Sequence, residues 1–316
     1  EPIMSVLFMF PGQGAQRPGM LHALPDHAET ARALEEASDT LGHDVRCLDD
    51  TNSLRSTIAV QLCLLIAGVA QARVVNAEGH APDIVTGLSI GAYPAAVVAG
   101  ALDYADAVRL VALRGQLMER AFPQGYGMTA IVGIAQRALE RLIAAVNNTA
   151  MPVFLANVNA QSQMVVAGSD AAMQRLAALA SEHGAQRCER LDVAVPSHCA
   201  LLDEPATALA AAFGQVTMKE PRVLYLSSSV ARPLFDATRI AADLAGNMAR
   251  QVRWHDTVRL AWERDARLAI EMPPGNVLTR LTRPVFTEGI VVSCSETALP
   301  DLGALIERER ARGNAR

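Results

Sequence analysis

Apolar residues in this chain fall into two patterns: short uninterrupted runs, and longer stretches with apolar positions at 3.6-residue spacing. The first run, "SVLFMF" (5–10), stops at Pro11 and predicts a strand buried on both faces. A loop punctuated by glycine, "PGQGAQRPG", follows it. Helical spacing then extends to about Arg73. "DIVTG" predicts a second short buried strand, and a helix follows Ser89, with Pro94 in its first turn, where proline is tolerated. Asp103 stands as the N-cap, and Asp106 in the first turn, of a long helix reaching about Phe122.

The texture changes at "PQGYG" (123–127). "MTAIVGI" reads as a strand, "AQRALERLIAAV" as a helix, "PVFLANV" and "QMVVAG" as strands, "SDAAMQRLAALASEHG" as a helix and "QRCERLDVAV" as a strand. The order β-α-β-β-α-β predicts a small ferredoxin-like domain over 125–194. It is inserted between two pieces, 1–124 and 195–316, of a larger domain. After Pro196 the chain reads as a helix from about 198, a strand at "VLYLSS", helices to about Glu263, then "LAIEM", "PPGNVLTRL" and "GIVVSCS". Strands alternating with helices imply an α/β class with a mostly parallel sheet covered on both faces. The charged end, "ERERARGNAR", reads as solvated or frayed.

Composition narrows the function classes. Of 316 residues 51% are apolar, enough for a sizeable core, and only 4% are aromatic, so aliphatic side chains fill it. The net charge of −5 argues against a general nucleic-acid binder. The five cysteines are odd in number and form no C-x-x-C pair, which favours a reducing compartment and no zinc knuckle. No apolar run is read as membrane-spanning and no signal-type segment opens the sequence, so the expectation is a soluble, cytoplasmic protein.

Four places carry candidate chemistry. In "VTGLSIGAY", Gly-x-Ser-x-Gly lies between a strand and a helix, the context of a nucleophile elbow in an α/β-hydrolase-like domain; the competing reading of Ser89 is an ordinary tight turn. On the helix from 103 to 122, Ala107, Leu110, Val111, Leu117, Met118 and Ala121 make one apolar stripe, and Arg114 falls inside it. A guanidinium there needs a partner, either a buried acid of the protein or the carboxylate of a ligand. His198 follows "VAVPS", with Ser197 as a candidate N-cap. A histidine in a first helical turn is held neutral by the helix dipole and can accept a proton; a plain turn histidine is the alternative. "GQG" (12–14) does not extend to G-x-G-x-x-G, because Arg17 takes the last place. The loop offers backbone N–H groups to an oxyanion, or is only a loop.

Taken together, "FMFPGQGAQRPGM", "GLSIGAY", "DAVRLVALRGQLM", "ANVNAQSQMVVAG", "VPSHCALL" and "EMPPGNVLTRL" resemble, in order and spacing, the malonyl-CoA:acyl-carrier-protein transacylases. The resemblance covers nearly the whole chain. It implies Ser89 as nucleophile, His198 as its base, the Gln13 and Ile90 backbone N–H groups as oxyanion hole, and Arg114 as the group that binds the malonyl carboxylate. The position whose main-chain carbonyl holds the histidine is Asn247, where the family carries Gln. Leu88 and Ala92 replace the usual His and Glu of the elbow. With these departures the chain resembles the branch serving malonate decarboxylase complexes, the epsilon subunit, which charges that complex's own carrier subunit. The implied chemistry exchanges one thioester for another through a malonyl-serine. Malonyl-CoA is then the donor, a carrier protein with a phosphopantetheine-type arm the acceptor, and neither metal nor redox cofactor is needed. A serine thioesterase or hydrolase and a non-catalytic scaffold subunit are the other readings.

Overall fold

The architecture follows from where each apolar run finds its neighbours. In the computed structural model, which describes residues 5–122 and 124–314, ten strands form two sheets. They are β1 (Val6–Phe10), β2 (Ile84–Gly87), β3 (Tyr126–Val132), β4 (Val153–Ala160), β5 (Gln163–Ser169), β6 (Arg187–Arg190), β7 (Leu224–Ser227), β8 (Arg232–Leu234), β9 (Leu268–Glu271) and β10 (Ile290–Ser293). Residues 1–4, 123, 315 and 316, which belong to the spans assigned from sequence, lie outside the described residues.

The first sheet has the order β10-β9-β1-β2-β7-β8. Its first five strands run parallel, and β8 pairs antiparallel at the edge. Every residue of β1, β2 and β9 is buried, as expected for strands covered by helices on both faces. With β1 central, the loops after β1, β2 and β9 emerge side by side at the carboxyl ends of the strands. That edge is where open parallel sheets place their ligands.

The second sheet, order β4-β5-β3-β6, is antiparallel. Its residues alternate between two faces. Ile131, Met164 and Val166 pack under the helices Gln136–Val146 and Asp170–Glu182, whereas Met128, Val165 and Ala167 form a second apolar layer with Cys199. The second face thereby closes over the parallel sheet's loop edge. Main-chain bonds tie the antiparallel sheet to the segment that precedes the helix Trp254–Glu263: Val158 N–H donates to the Val252 carbonyl and Val252 N–H to that of Ala156, both at 2.8 Å.

Several expectations need correction. The strand at "QRCERLDVAV" ends at Arg190, and the short edge strand β8 has no periodic signal of its own. The helix expected from about 198 begins at Asp203, after the short turn Ala200–Leu202. Asp103 occupies the N-cap position of the helix Tyr104–Ala121 but makes no capping bond; its carboxylate accepts from Lys219 Nζ at 2.8 Å. The charged tail is a helix, Leu299–Asn314, anchored by buried Leu302 and Ile306. One helix, Thr57–Ala77, is in fact long and apolar enough to cross a membrane, but 89% of its most apolar window is buried inside the fold. It reads as a core helix.

Candidate active site

Ser89 sits two residues past the end of β2, at φ +58°, a left-handed conformation that a serine rarely adopts. Its flanking glycines have a steric reason. A Cβ at Gly87 would lie 2.0 Å from the Gly91 carbonyl carbon, and one at Gly91 would lie 2.1 Å from the Phe10 oxygen. The turn is pinned by Leu88 N–H donating to the Phe10 carbonyl (3.0 Å) and Ser228 Oγ donating to the Gly87 carbonyl (2.8 Å). The helix Ala92–Val98 follows at once. This is a strand–turn–helix elbow rather than a relaxed turn.

Arg114 is fully buried on the helix Tyr104–Ala121, while Arg109 of the same helix is exposed and pairs with Asp106. Leu117 and Ala121 of the apolar stripe are only partly buried. The partners of the buried guanidinium are neutral. Nη1 donates to Gln61 Oε1 at 2.8 Å; Nη2 donates to Asn247 Oδ1 at 2.9 Å and to Ser89 Oγ at 3.2 Å. Nε has no partner, and among the described residues no carboxylate lies within salt-bridge distance of this side chain. Its guanidinium carbon stands 5.7 Å from the Tyr93 ring centroid. Burial lowers its pKa, but a guanidinium does not give up its proton in proteins.

His198 is not in a helix. It has φ +66° and precedes the turn Ala200–Leu202, and Ser197 donates its hydroxyl to the Val195 carbonyl at 3.4 Å instead of capping. The helix dipole is therefore not what keeps the ring neutral. Burial does so first and the positive charge of Arg114 second, pushing the imidazole down to about 4. The main-chain carbonyls of Asn247 (2.9 Å) and Arg250 (3.2 Å) accept from Nδ1–H. That fixes the tautomer and leaves the lone pair on Nε2. Met248 O accepts from His198 N–H at 2.6 Å, so ring and backbone are both held by the segment 247–250.

Ser89 and His198 line one cavity of about 240 Å³. Gly12, Gln13 and Gly14 form one side, Met128, Ala130 and Val165 of the antiparallel sheet another, and Val277, Leu278 and Leu281 a third. Arg114 and Asn247 lie behind this lining, Arg114 bonded to the Ser89 hydroxyl and Asn247 to the Ser89 main-chain carbonyl. Ile90 is fully buried, and its main chain directly follows the serine. Leu88 faces the cavity and crowds Gly12, where a Cβ would come within 2.8 Å of the Leu88 carbonyl oxygen. Ala92 is buried in the helix behind.

An elbow serine and a neutral histidine held by carbonyls thus share one cleft, with a buried arginine that has no acid partner directly behind the serine. Residues 7–301 match the family model described as acyl transferase domain. The chain belongs to that family. The malonyl CoA-acyl carrier protein transacylase of Haemophilus influenzae is 35% identical over 297 residues, covering 92% of this chain and 95% of that one. The crystal structure of an acyl carrier protein S-malonyltransferase from Vibrio cholerae superimposes with a TM-score of 0.89 at 34% identity, over 95% of this chain and 99% of that one. A malonyl-transacylase in complex with a type II PKS acyl-carrier protein gives 0.90 at 33% identity, over 96% and 99%.

For this acyltransferase the sequence patterns left two contributors unread. Gln61, 1% exposed, holds Arg114 Nη1 and also donates from Nε2 to Met118 Sδ at 3.3 Å. Its signal was available: an amide inside the otherwise apolar stretch "VQLCLLIAG". The Asn247 side chain had no such signal, because only the folded chain brings it to Arg114 and Ser89.

Proposed function

We propose that this acyltransferase moves a malonyl group from malonyl-CoA to the thiol of an acyl carrier protein through a malonyl-Ser89 intermediate. The observation that carries the reading is Arg114: a buried guanidinium 3.2 Å from the nucleophilic hydroxyl, held only by neutral acceptors. Such a charge is compensated when a carboxylate-bearing acyl group enters.

Ser89 Oγ attacks the thioester carbonyl while His198 Nε2 takes its proton. The oxyanion accepts from the Gln13 and Ile90 main-chain N–H groups. The C–S bond breaks, coenzyme A leaves as a thiol with the proton returned from His198, and malonyl stays on Ser89. The carrier's phosphopantetheine-type thiol then attacks the ester, and the same steps run in reverse. Both half-reactions exchange one acyl bond for another, so neither metal nor redox cofactor enters. The βαββαβ segment 125–194, with its sheet order β4-β5-β3-β6, serves as a ferredoxin-like lid domain over an α/β-hydrolase-like domain formed by 1–124 and 195–316.

Leu88, Ala92 and Asn247 support assignment to the malonate decarboxylase branch, with that complex's carrier subunit as acceptor. Fatty-acid or polyketide malonyl transfer is the alternative. A hydrolase is the weaker reading, because carbonyls, rather than a carboxylate, hold His198 Nδ1. The test is an acyl-loading assay offering malonyl-, methylmalonyl- and acetyl-CoA, followed by transfer to both carrier types. Malonyl loading with preferred transfer to the decarboxylase carrier supports the full reading. Preferred transfer to the fatty-acid carrier removes the branch, and rapid carrier-free release of malonate removes the transferase.

A further inference from the structure

Asn247 makes three contacts with three different parts of the site. Its main-chain carbonyl accepts from His198 Nδ1–H at 2.9 Å. Its Oδ1 accepts from Arg114 Nη2 at 2.9 Å, and its Nδ2 donates to the Ser89 carbonyl at 3.0 Å. The amide's orientation is decided by these partners. Turning it over would set NH2 against a guanidinium donor and oxygen against a carbonyl. The residue is 3% exposed, so no water competes for either end.

We propose that Asn247 is a positioning residue that sets selectivity for carboxylate-bearing acyl groups by holding the arginine fork with a neutral acceptor. The inference rests on Arg114 as the acyl-carboxylate site. A guanidinium has five N–H donors; three are engaged, on Gln61, Asn247 and Ser89, which leaves two for an incoming carboxylate. Both amide oxygens fix the plane of the fork without cancelling its charge. A carboxylate at 247 would occupy the same place and neutralise the fork before any substrate arrived. Nδ2 meanwhile anchors the carbonyl of the left-handed Ser89, so fork and nucleophile are referenced to one side chain.

The test uses full-length enzyme and measures single-turnover loading of Ser89 from malonyl-CoA and acetyl-CoA by intact-protein mass spectrometry. Both acyl groups need the elbow and the histidine, and only malonyl needs the free positive charge, so the malonyl-to-acetyl ratio isolates the proposed role. Asn247→Asp is expected to lower that ratio about a hundredfold, because it sets a like charge against the malonyl carboxylate. Asn247→Gln, which keeps a neutral amide, is expected to stay within about threefold of the parent. An unchanged ratio in Asn247→Asp, or an equal fall in Asn247→Gln, overturns the proposal. Should thermal melts show Asn247→Asp unfolded, Asn247→Ala takes its place: malonyl loading falling about tenfold more than acetyl loading supports the role, and parallel loss overturns it. Arg114→Ala in the same assay separates the two claims. If it loses both acyl groups equally, the carboxylate reading itself fails; if it loses malonyl selectively while Asn247→Asp does not, only the role of Asn247 fails.

Discussion

At the carboxyl end of β9, Glu271 is fully buried, and the chain around it answers each of its oxygens. Oε1 accepts from Leu278 N–H at 3.0 Å, and Oε2 accepts from the Thr279 N–H and hydroxyl, both at 2.7 Å. Burial raises its pKa and the three donors counter that only in part, and together they tie β9 to the short helix Val277–Thr282 on the cavity wall. Two strands away, behind the end of β2, Arg114 is equally buried and much less completely answered: neutral acceptors only, and an Nε with no partner. Leaving a charge in that state costs stability, and natural chains ordinarily pair a buried charge or exclude it. Under the proposed function, the contrast separates a charge used to build the wall from one kept available for a ligand. Burial alone would not have distinguished them; the inventory of partners does.

The sharpest way to break the contrast is at Ser89, the proposed nucleophile. Ser89→Ala is expected to abolish acyl loading, a fall of about 10⁴-fold or more in single-turnover rate. Residual loading near the parent rate would place the covalent step elsewhere. Arg114→Ala follows, with malonyl loading expected to fall about 10²–10³-fold and acetyl loading much less, since a site built for a buried ionic partner discriminates more strongly than pocket size does. Equal losses would make Arg114 a structural residue like Glu271. Glu271→Ala should show the opposite profile: stability lower by about 3 kcal/mol in urea titration, from orphaned buried donors, with the malonyl-to-acetyl ratio unchanged. A change in that ratio would erase the distinction between the two charges.

The smallest effects concern pH. With its imidazole pushed down to about 4, His198 stays neutral across the ordinary range. The acid limb of kcat/KM is therefore expected near pH 4 instead of near the ordinary histidine value of about 6.5. The same shift enters stability. Between those two values the unfolded chain binds the proton and the folded chain does not, so stability falls as pH drops through that window. The full loss is about 3 kcal/mol by the difference in pKa. His198→Gln should flatten this part of the stability–pH curve, and an unaltered slope would mean that His198 is not the group responsible.

How much of this was legible before folding varies residue by residue. The strand–Gly-x-Ser-x-Gly–helix order located the elbow, because a turn that tight admits only glycine at 87 and 91. The 3.6-residue stripe showed that Arg114 points inward, because helical periodicity is local. Gln61 could have been noticed as the lone amide within an apolar stretch. A helix dipole does not keep His198 neutral, since the residue lies outside any helix, and the solvent exclusion that does so cannot be read from neighbours in the chain. The charged tail is helical rather than frayed because Leu302 and Ile306, just upstream, anchor its helix, while Glu307, Arg308 and Arg312 stay solvated as expected.

The sequence by itself determined the alternation of strands and helices, the elbow and the inward face of Arg114, since each depends on contacts within a few residues. Only the tertiary structure decided that Arg114 meets amides rather than an acid, and that Asn247 joins Arg114, His198 and Ser89. Those contacts link positions 53, 133 and 158 residues apart, and their strength comes from the exclusion of water, which no local pattern encodes.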